Sequence, residues 1–542
     1  MITVLRWRLL DMCNTVKEEA GGSTQKPAVG EVPSIAAQPS SKRGRLWTQV
    51  AACMAASLGT LSAGAVNGWT AGTLPSMKED PSIYLGTAET AWMVGIVALG
   101  ALVGSLIAGQ AMDRFGRRTT IVWVSPIMAA SWVLMALAPY ISIILLGRAI
   151  CGLMTSFLIS AVSVYNSEVP EARLRGRLGT MSSLFISLGI LFSYTAGAFL
   201  PWRYSCYVCA APPVLTAFVV FAVPESPYWL MLKGRKNEAL VALKWLRGPD
   251  YDIMEDLENI DLKLKAVGTK IQYRELLRPR TRRPFFIALF LMTLQQTCGA
   301  NILIMYTGSI LISAGVKDHN TAVVYVGLVQ LVGTIFSVLL MDKLGRRLII
   351  VTSLSVVGIF TVMLGVYYYM QVVMSVVWPL WVPLTAVMVS SLGYCFGCRT
   401  IPWLTSAELF NTTIRSTANT VCLLYNRILN FTIVQVYPFL VEAIGAHSVF
   451  FFFGGVSLVG SVLSSIIMPE TKGKSLEQIQ EYFEKKNLKA SESKNKKSGA
   501  SEDDTKKTCC NDQSMLSSVS VATSPITESA CVITQEEEMT KL

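Results

Sequence analysis

Histidine occurs only twice in this 542-residue chain, and charged side chains make up just 15% of it. With only His319 and His447, no histidine-rich metal or general-base cluster is available, and no nucleophile–base arrangement stands out. An enzyme is therefore not expected, and neither a metal nor another cofactor is called for. No G-x-x-x-x-G-K-[ST] phosphate loop occurs, which speaks against pumping driven by nucleotide hydrolysis. Most of the 12 cysteines fall inside apolar runs, so no disulfide framework emerges.

What is abundant is uncharged apolar sequence: 52% of residues are hydrophobic and mean hydropathy is +0.46. No Asp, Glu, Lys or Arg occurs in 46–77, 90–112, 119–147, 149–167, 178–202, 204–224, 285–316, 319–341, 348–398 or 443–469. A helix needs about 20 apolar residues to cross the hydrocarbon core of a bilayer. The run 348–398 is long enough for two crossings, and 416–440, interrupted by Arg427, supplies another. The expected fold is an all-α membrane protein with six spans before residue 225 and six after residue 284.

The few charges are not scattered. Asp113-Arg-Phe-Gly-Arg-Arg118 returns as Asp342-Lys-Leu-Gly-Arg-Arg347. Glu168 with Arg175 returns as Glu408 with Arg415, and Pro224-Glu225 returns as Pro469-Glu470. Three paired motifs in the same order, about 230 to 245 residues apart, mark two parallel halves. Lys and Arg concentrate in the loops that carry these motifs, so those loops, both termini and the central loop are expected on the cytoplasmic side. The formal net charge of +11 then reflects topology, and no nucleic-acid partner is expected.

The expected organisation is a disordered leader at 1–45, a six-helix bundle at 46–224, a cytoplasmic helical linker at 225–284, a second bundle at 285–468 and a largely disordered cytoplasmic tail at 469–542. In the linker, 237–246 and 254–267 place apolar residues at helical spacing, as short helices lying against the inner mouth would. The Ser-, Lys- and acid-rich tail cannot bury a core.

Acids sit with bases at matched positions in both halves, which topology alone does not require. Asp113, Arg117, Arg118, Glu168, Arg175 and Glu225, with Asp342, Arg346, Arg347, Glu408, Arg415 and Glu470, are expected to form a cytoplasmic gate. Partly exposed ion pairs are each worth about 0 to 1 kcal/mol, so a network of them holds a state without locking it. Gln295, Gln296 and Asn301 fall on one helical face. Their amides both donate and accept, as the paired hydroxyls of an uncharged sugar require.

Together with Gln295-Gln-Thr-Cys-Gly-Ala-Asn301, Pro224-Glu-Ser-Pro-Tyr-Trp-Leu230, Ile401-Pro-Trp403 and Pro469-Glu-Thr-Lys-Gly473, these motifs resemble the sugar porter family of the major facilitator superfamily over residues 60 to 475. Within it the chain looks most like animal facilitative glucose transporters and insect facilitated trehalose transporters. The resemblance implies sugar binding by Gln295, Gln296 and Asn301, with Tyr306 closing over the sugar, Asn426 and Asn430 contributing, and Trp403 offering an apolar face. Ser183 and Gln330 stand where the family usually has glutamine and asparagine. Tyr228 replaces an arginine, leaving Glu225 in need of another partner. Cys398 and Arg399 replace a Pro-Gly pair and Thr400 a proline in the tenth span, where a stiffer hinge is expected. Arg427 takes the place of a tryptophan.

Arg399 and Arg427 thus place two cations inside spans, where charges usually face a cavity or a partner. Proton-linked relatives carry an acid in the first span. Here 46–77 holds none, and Glu168 is left as a possible proton carrier. The leading expectation is a monomeric plasma-membrane facilitator of hexose or trehalose. A porter for organic anions using Arg399 and Arg427, or a sugar sensor that does not transport, are the alternatives.

Overall fold

The computed structural model describes residues 44–248, 251, 253–266, 279–376, 378–410, 412–470, 472 and 478. Nearly all of the expected leader and of the tail lie outside the described residues. The described chain is almost wholly helical. In the first half it runs through α1 (Leu46–Lys78), α2 (Thr87–Phe115), α3 (Arg117–Ala136), α4 (Ile141–Glu168), α5 (Ala172–Gly179), α6 (Met181–Phe199) and α7 (Trp202–Phe221). Three short helices follow: α8 (Pro227–Leu232), α9 (Lys236–Arg247) and α10 (Ile253–Ala266). The second half comprises α11 (Pro279–Thr297), α12 (Ala300–Met305), α13 (Thr307–Ser313), α14 (His319–Leu344), α15 (Arg346–Val372), α16 (Trp381–Gly393), α17 (Ile401–Leu409) and α18 (Thr412–Ile467).

Among the described residues, eleven helical stretches are long and apolar enough to cross a bilayer. The last of them contains Gly445 at φ 80° and ψ 151°, which breaks the 56-residue α18 into two crossings. Twelve crossings result. Gly116 and Gly345 adopt nearly the same positive-φ conformation at the matched corners after α2 and α14, a conformation that costs residues with a Cβ.

One boundary differs from the sequence expectation. Arg148 separates the uncharged runs 119–147 and 149–167, but the turn between α3 and α4 lies at 137–140 and Arg148 lies within α4. It is buried because its donors are met internally: Nε donates to the Met93 carbonyl at 3.1 Å and Nη1 to the Val66 carbonyl at 3.0 Å. Its guanidinium also lies 5.3 Å from the Trp69 ring centre.

The tenth span is broken even though its motif lacks two of the usual prolines. A π-helical turn at Tyr394–Cys398 separates α16 from α17, and Pro402 opens α17. Ser353 makes the break tolerable: its hydroxyl donates to the Gly393 carbonyl at 2.7 Å and accepts from the Cys398 N–H at 2.8 Å. A side chain from a neighbouring helix thus satisfies backbone groups freed within the membrane.

Inside the first half, α1 lies against α6, α2 against α4 and α3 against α7; in the second, α15 lies against α18. The halves meet along α2 with α18, α6 with α14, and α1 with α12 and α13. By contacts, the described residues of the two helical halves form one compact unit rather than two.

Candidate functional site: a central cavity between two bundles

Between the halves lies a cavity of about 390 Å³, within the range of small-ligand sites. Of the expected sugar-binding residues, Ser183, Gln295, Gln296, Asn301, Trp403, Asn426, Arg427 and Asn430 line it. Asn67, Ser163, Ser182, Tyr394, Arg399 and Thr400 complete its polar wall. Tyr394 is a lining residue that sequence reasoning passed over, since a lone tyrosine in an apolar run carries no pattern. No carboxylate is among the lining residues.

The amides form one chain of hydrogen bonds. Tyr394 OH donates to Asn301 Oδ1 at 3.0 Å, and Asn301 Nδ2 donates to Gln296 Oε1 at 2.7 Å. Gln296 Nε2 donates to Asn426 Oδ1 at 3.0 Å, and Asn426 Nδ2 to Gln295 Oε1 at 2.9 Å. Gln295 Nε2 closes the chain on the carbonyls of Arg399 at 2.8 Å and Cys398 at 3.2 Å. The chain ties α11 and α12 to the broken tenth span and to α18. Each amide is thereby held in a fixed orientation, leaving its remaining donors and acceptors for a ligand.

Two expected site residues lie elsewhere. Tyr306 is absent from the cavity wall and is buried beyond it, with its ring 4.9 Å from that of Tyr437. The chain bends between α12 and α13 at this residue and turns its side chain toward the opposite end of the molecule from the motif loops. Gln330 is fully buried in α14, and its Nε2 donates to Tyr194 OH at 3.5 Å.

The cavity is shut at that same end. Thr70 Oγ1 of α1 donates to the Met305 carbonyl at 3.2 Å, and Tyr194 OH of α6 donates to the Ile304 carbonyl at 2.6 Å. A Cβ on Gly308 would stand 2.1 Å from the Ala71 carbonyl oxygen, so only glycine permits this approach of α13 to α1. Ser187 joins Thr334 at 2.7 Å and accepts from Arg399 Nη1 at 2.9 Å, deeper along the axis. Hydrogen bonds between the halves, among the described residues, lie at these levels and not among the motif loops.

The motif residues bond chiefly within their own halves. Arg117 meets Glu168 at 3.0 Å and Asp113 at 3.4 Å, and Ser226 Oγ donates to Glu168 at 2.5 Å. Glu225, which lost the family's arginine to Tyr228, sits instead on the N-terminus of α3. It accepts there from the N–H groups of Arg117 at 3.0 Å, Arg118 at 2.9 Å and Thr119 at 3.2 Å. The second half repeats the design: Arg346 meets Glu408 at 3.2 Å, and Glu470 accepts from the N–H groups of Arg346 at 3.0 Å and Arg347 at 3.2 Å. Arg118 reaches the Phe221 carbonyl, Arg347 the Ser465 carbonyl, and Arg415 the Phe410 carbonyl at 3.3 Å. Arg175 is exposed with no bonding partner among the described residues, and of Asp342 only the backbone in α14 is described.

The linker helices dock on the first half's motif loops. Trp229 Nε1 donates to the Asp113 carbonyl at 3.1 Å, and Arg247 reaches the Val169 carbonyl at 3.0 Å and Asp256 at 3.1 Å. Glu171 lies among Gln49, Arg173 and Arg247, at 2.9, 2.6 and 3.9 Å. Burial alone would raise its carboxyl, but the hydrogen bonds from Gln49 and Arg173 and the two arginine charges outweigh it and hold the group below its ordinary value.

A family model described as "Sugar (and other) transporter" matches residues 48–483. The chain belongs to that family. Among curated relatives, the facilitated trehalose transporter Tret1 of Apis mellifera ligustica is 34% identical over 445 residues, covering 81% of this chain and 89% of that one. Tret1 of Anopheles gambiae is 32% identical over 453 residues, covering 82% of this chain but only 57% of the relative. Among solved structures, the partially occluded inward-open conformation of the xylose transporter XylE from E. coli superposes with a TM-score of 0.68. It is 20% identical, over 79% of this chain and all of that one, so the likeness bears on the fold. Family and fold are those of a multi-pass membrane transporter, not of an enzyme.

Proposed function

We propose that the protein is a facilitative sugar carrier of the plasma membrane that works by alternating access, as a monomer with both termini cytoplasmic. The observation that carries this reading is the cavity itself: a wall of preset amides, hydroxyls, one indole and two guanidiniums, closed at one end by bonds between halves. Groups that both donate and accept suit a polyhydroxylated solute, and Trp403 supplies an apolar face for its ring. The trehalose transporters among its relatives support hexoses and trehalose as the first sugars to try.

Proton independence is part of the proposal. No lining residue is an acid. Arg148, buried well inside a span of the first half, is bonded to backbone carbonyls rather than to a carboxylate. Glu168, the possible proton carrier, is held at the motif-loop end of α4 by Arg117 and Ser226. The test is uptake of labelled sugars into proteoliposomes with and without a pH gradient. Sugar uptake indifferent to the gradient, and reduced about tenfold or more in Gln295→Ala, is the expected result. Uptake that follows the gradient would overturn the facilitative reading.

A further inference from the structure

The protein contains a built-in comparison between an arginine held for structure and one that is not. Arg148 has two carbonyl acceptors and lies over an aromatic ring, and its cost of burial is met from within. Arg427, also inside a span, has no hydrogen bond to any described residue, and its Nε is buried without a partner. It lines the cavity. Asn430, one turn along α18 and on the same face, lines the cavity too, and its Oδ1 is likewise buried without a partner. The amide chain is largely satisfied by itself, so Arg427 and Asn430 are the lining groups whose bonding capacity is most plainly left for cargo. Arg399 adds a second guanidinium to the same wall, with one of its donors already committed to Ser187.

Two cations and no acid line a cavity lodged within the membrane, and a neutral sugar leaves that charge unanswered. A guanidinium with a free fork matches a carboxylate through two parallel hydrogen bonds. We propose that the carried sugar bears a carboxylate, as a hexuronate or aldonate does, with Arg427 binding that group and Arg399 supplying the second positive charge while the amides bind hydroxyls. This rests on the sugar-carrier reading above and narrows its substrate. A carrier returns to its starting state after each cycle, so the net charge it moves is that of its cargo. Transport of a monoanion must therefore respond to membrane potential, whereas transport of glucose must not.

The experiment uses the full chain in proteoliposomes clamped by potassium and valinomycin. Labelled glucuronate, glucose, trehalose, glucose 6-phosphate and lactate are offered separately. The expected result is glucuronate uptake that rises with an inside-positive potential and reaches about tenfold accumulation at about 59 mV, the value for a single charge. R427Q should lose at least tenfold of this uptake, while R427K, which keeps the charge but not the fork, should retain part of it. Should R427Q not fold, the potential dependence of the unmodified protein decides alone. Glucose or trehalose uptake without glucuronate uptake would overturn the carboxylate while leaving the sugar carrier intact. Uptake of glucose 6-phosphate alone would also overturn it, as would lactate carried as well as glucuronate. Failure to carry any sugar would instead overturn the underlying function.

Discussion

Asn426 stands where the cavity's amide chain crosses between helices, accepting from Gln296 and donating to Gln295. Replacing it with alanine strands one donor and one acceptor in a wall that has already oriented around them, at about 1 to 3 kcal/mol. Asn426→Ala is therefore expected to raise the KM for sugar uptake by about tenfold or more, read against surface expression of the same variant. At this scale, much of the cavity was legible in the sequence. Gln295, Gln296 and Asn301 were expected on one helical face; Gly299 at φ 76° ends α11 and starts α12 between them, yet all three still reach the cavity, with Asn301 bonded to Gln296 at 2.7 Å. Tyr306 and Gln330 escaped because a polar side chain within a span faces either the cavity or another helix, and linear spacing does not separate the two. Arg148 escaped for a related reason: a charge flanked by apolar runs reads as a boundary unless its internal acceptors are known, and those come from α1 and α2.

Elements here are punctuated by glycine and closed by carboxylates. Gly116 turns the chain at φ 100°, and its missing Cβ leaves room for Glu225 on the N-terminus of α3; an added Cβ would stand 2.4 Å from Glu225 Oε2. Gly116→Ala should cost about 1 to 3 kcal/mol from the backbone alone and more from displacing Glu225, seen as a lowered melting temperature. The repeat at Gly345 and Glu470 makes this corner readable from sequence, because two copies of one motif rarely share a turn by chance. The broken tenth span was harder to foresee. Its break depends on Ser353, a residue of α15 that no local reading connects to Tyr394–Cys398. The linker lock adds a pH signature. The Glu171 carboxyl is held below its ordinary value of about 4.5, so its contribution is fully present above that value and is lost as pH falls through the lower folded value. Melting temperature should therefore drop on acidification below about pH 4.5, and Glu171→Gln should flatten that part of the profile.

At the scale of the whole molecule, the proposed alternating access makes the two bundles a two-state device, and this structure is held from one end. Bonds between halves gather at the end away from the motif loops and around mid-depth, while the motif charges are satisfied chiefly inside each half. Twelve crossings and twofold repetition follow from apolar run lengths and repeated motifs, but which end is shut depends on backbone approaches such as Gly308 to Ala71, invisible in composition. Tyr194 is the clearest single tie, since its hydroxyl crosses from α6 to the Ile304 carbonyl at 2.6 Å. One such bond is worth about 1 kcal/mol net. A two-state equilibrium biased by that amount shifts about fivefold in population when the bond is lost. Tyr194→Phe should therefore favour the conformation open at the opposite end. A cysteine introduced at Ser163, on the cavity wall, reports it, with Cys13, Cys509, Cys510 and Cys531 replaced and the eight described native cysteines buried. A membrane-impermeant maleimide applied from the end away from the motif loops should label this cysteine about fivefold faster in the Tyr194→Phe background. Unchanged labelling would mean that the tie at Ile304 does not set the balance between states.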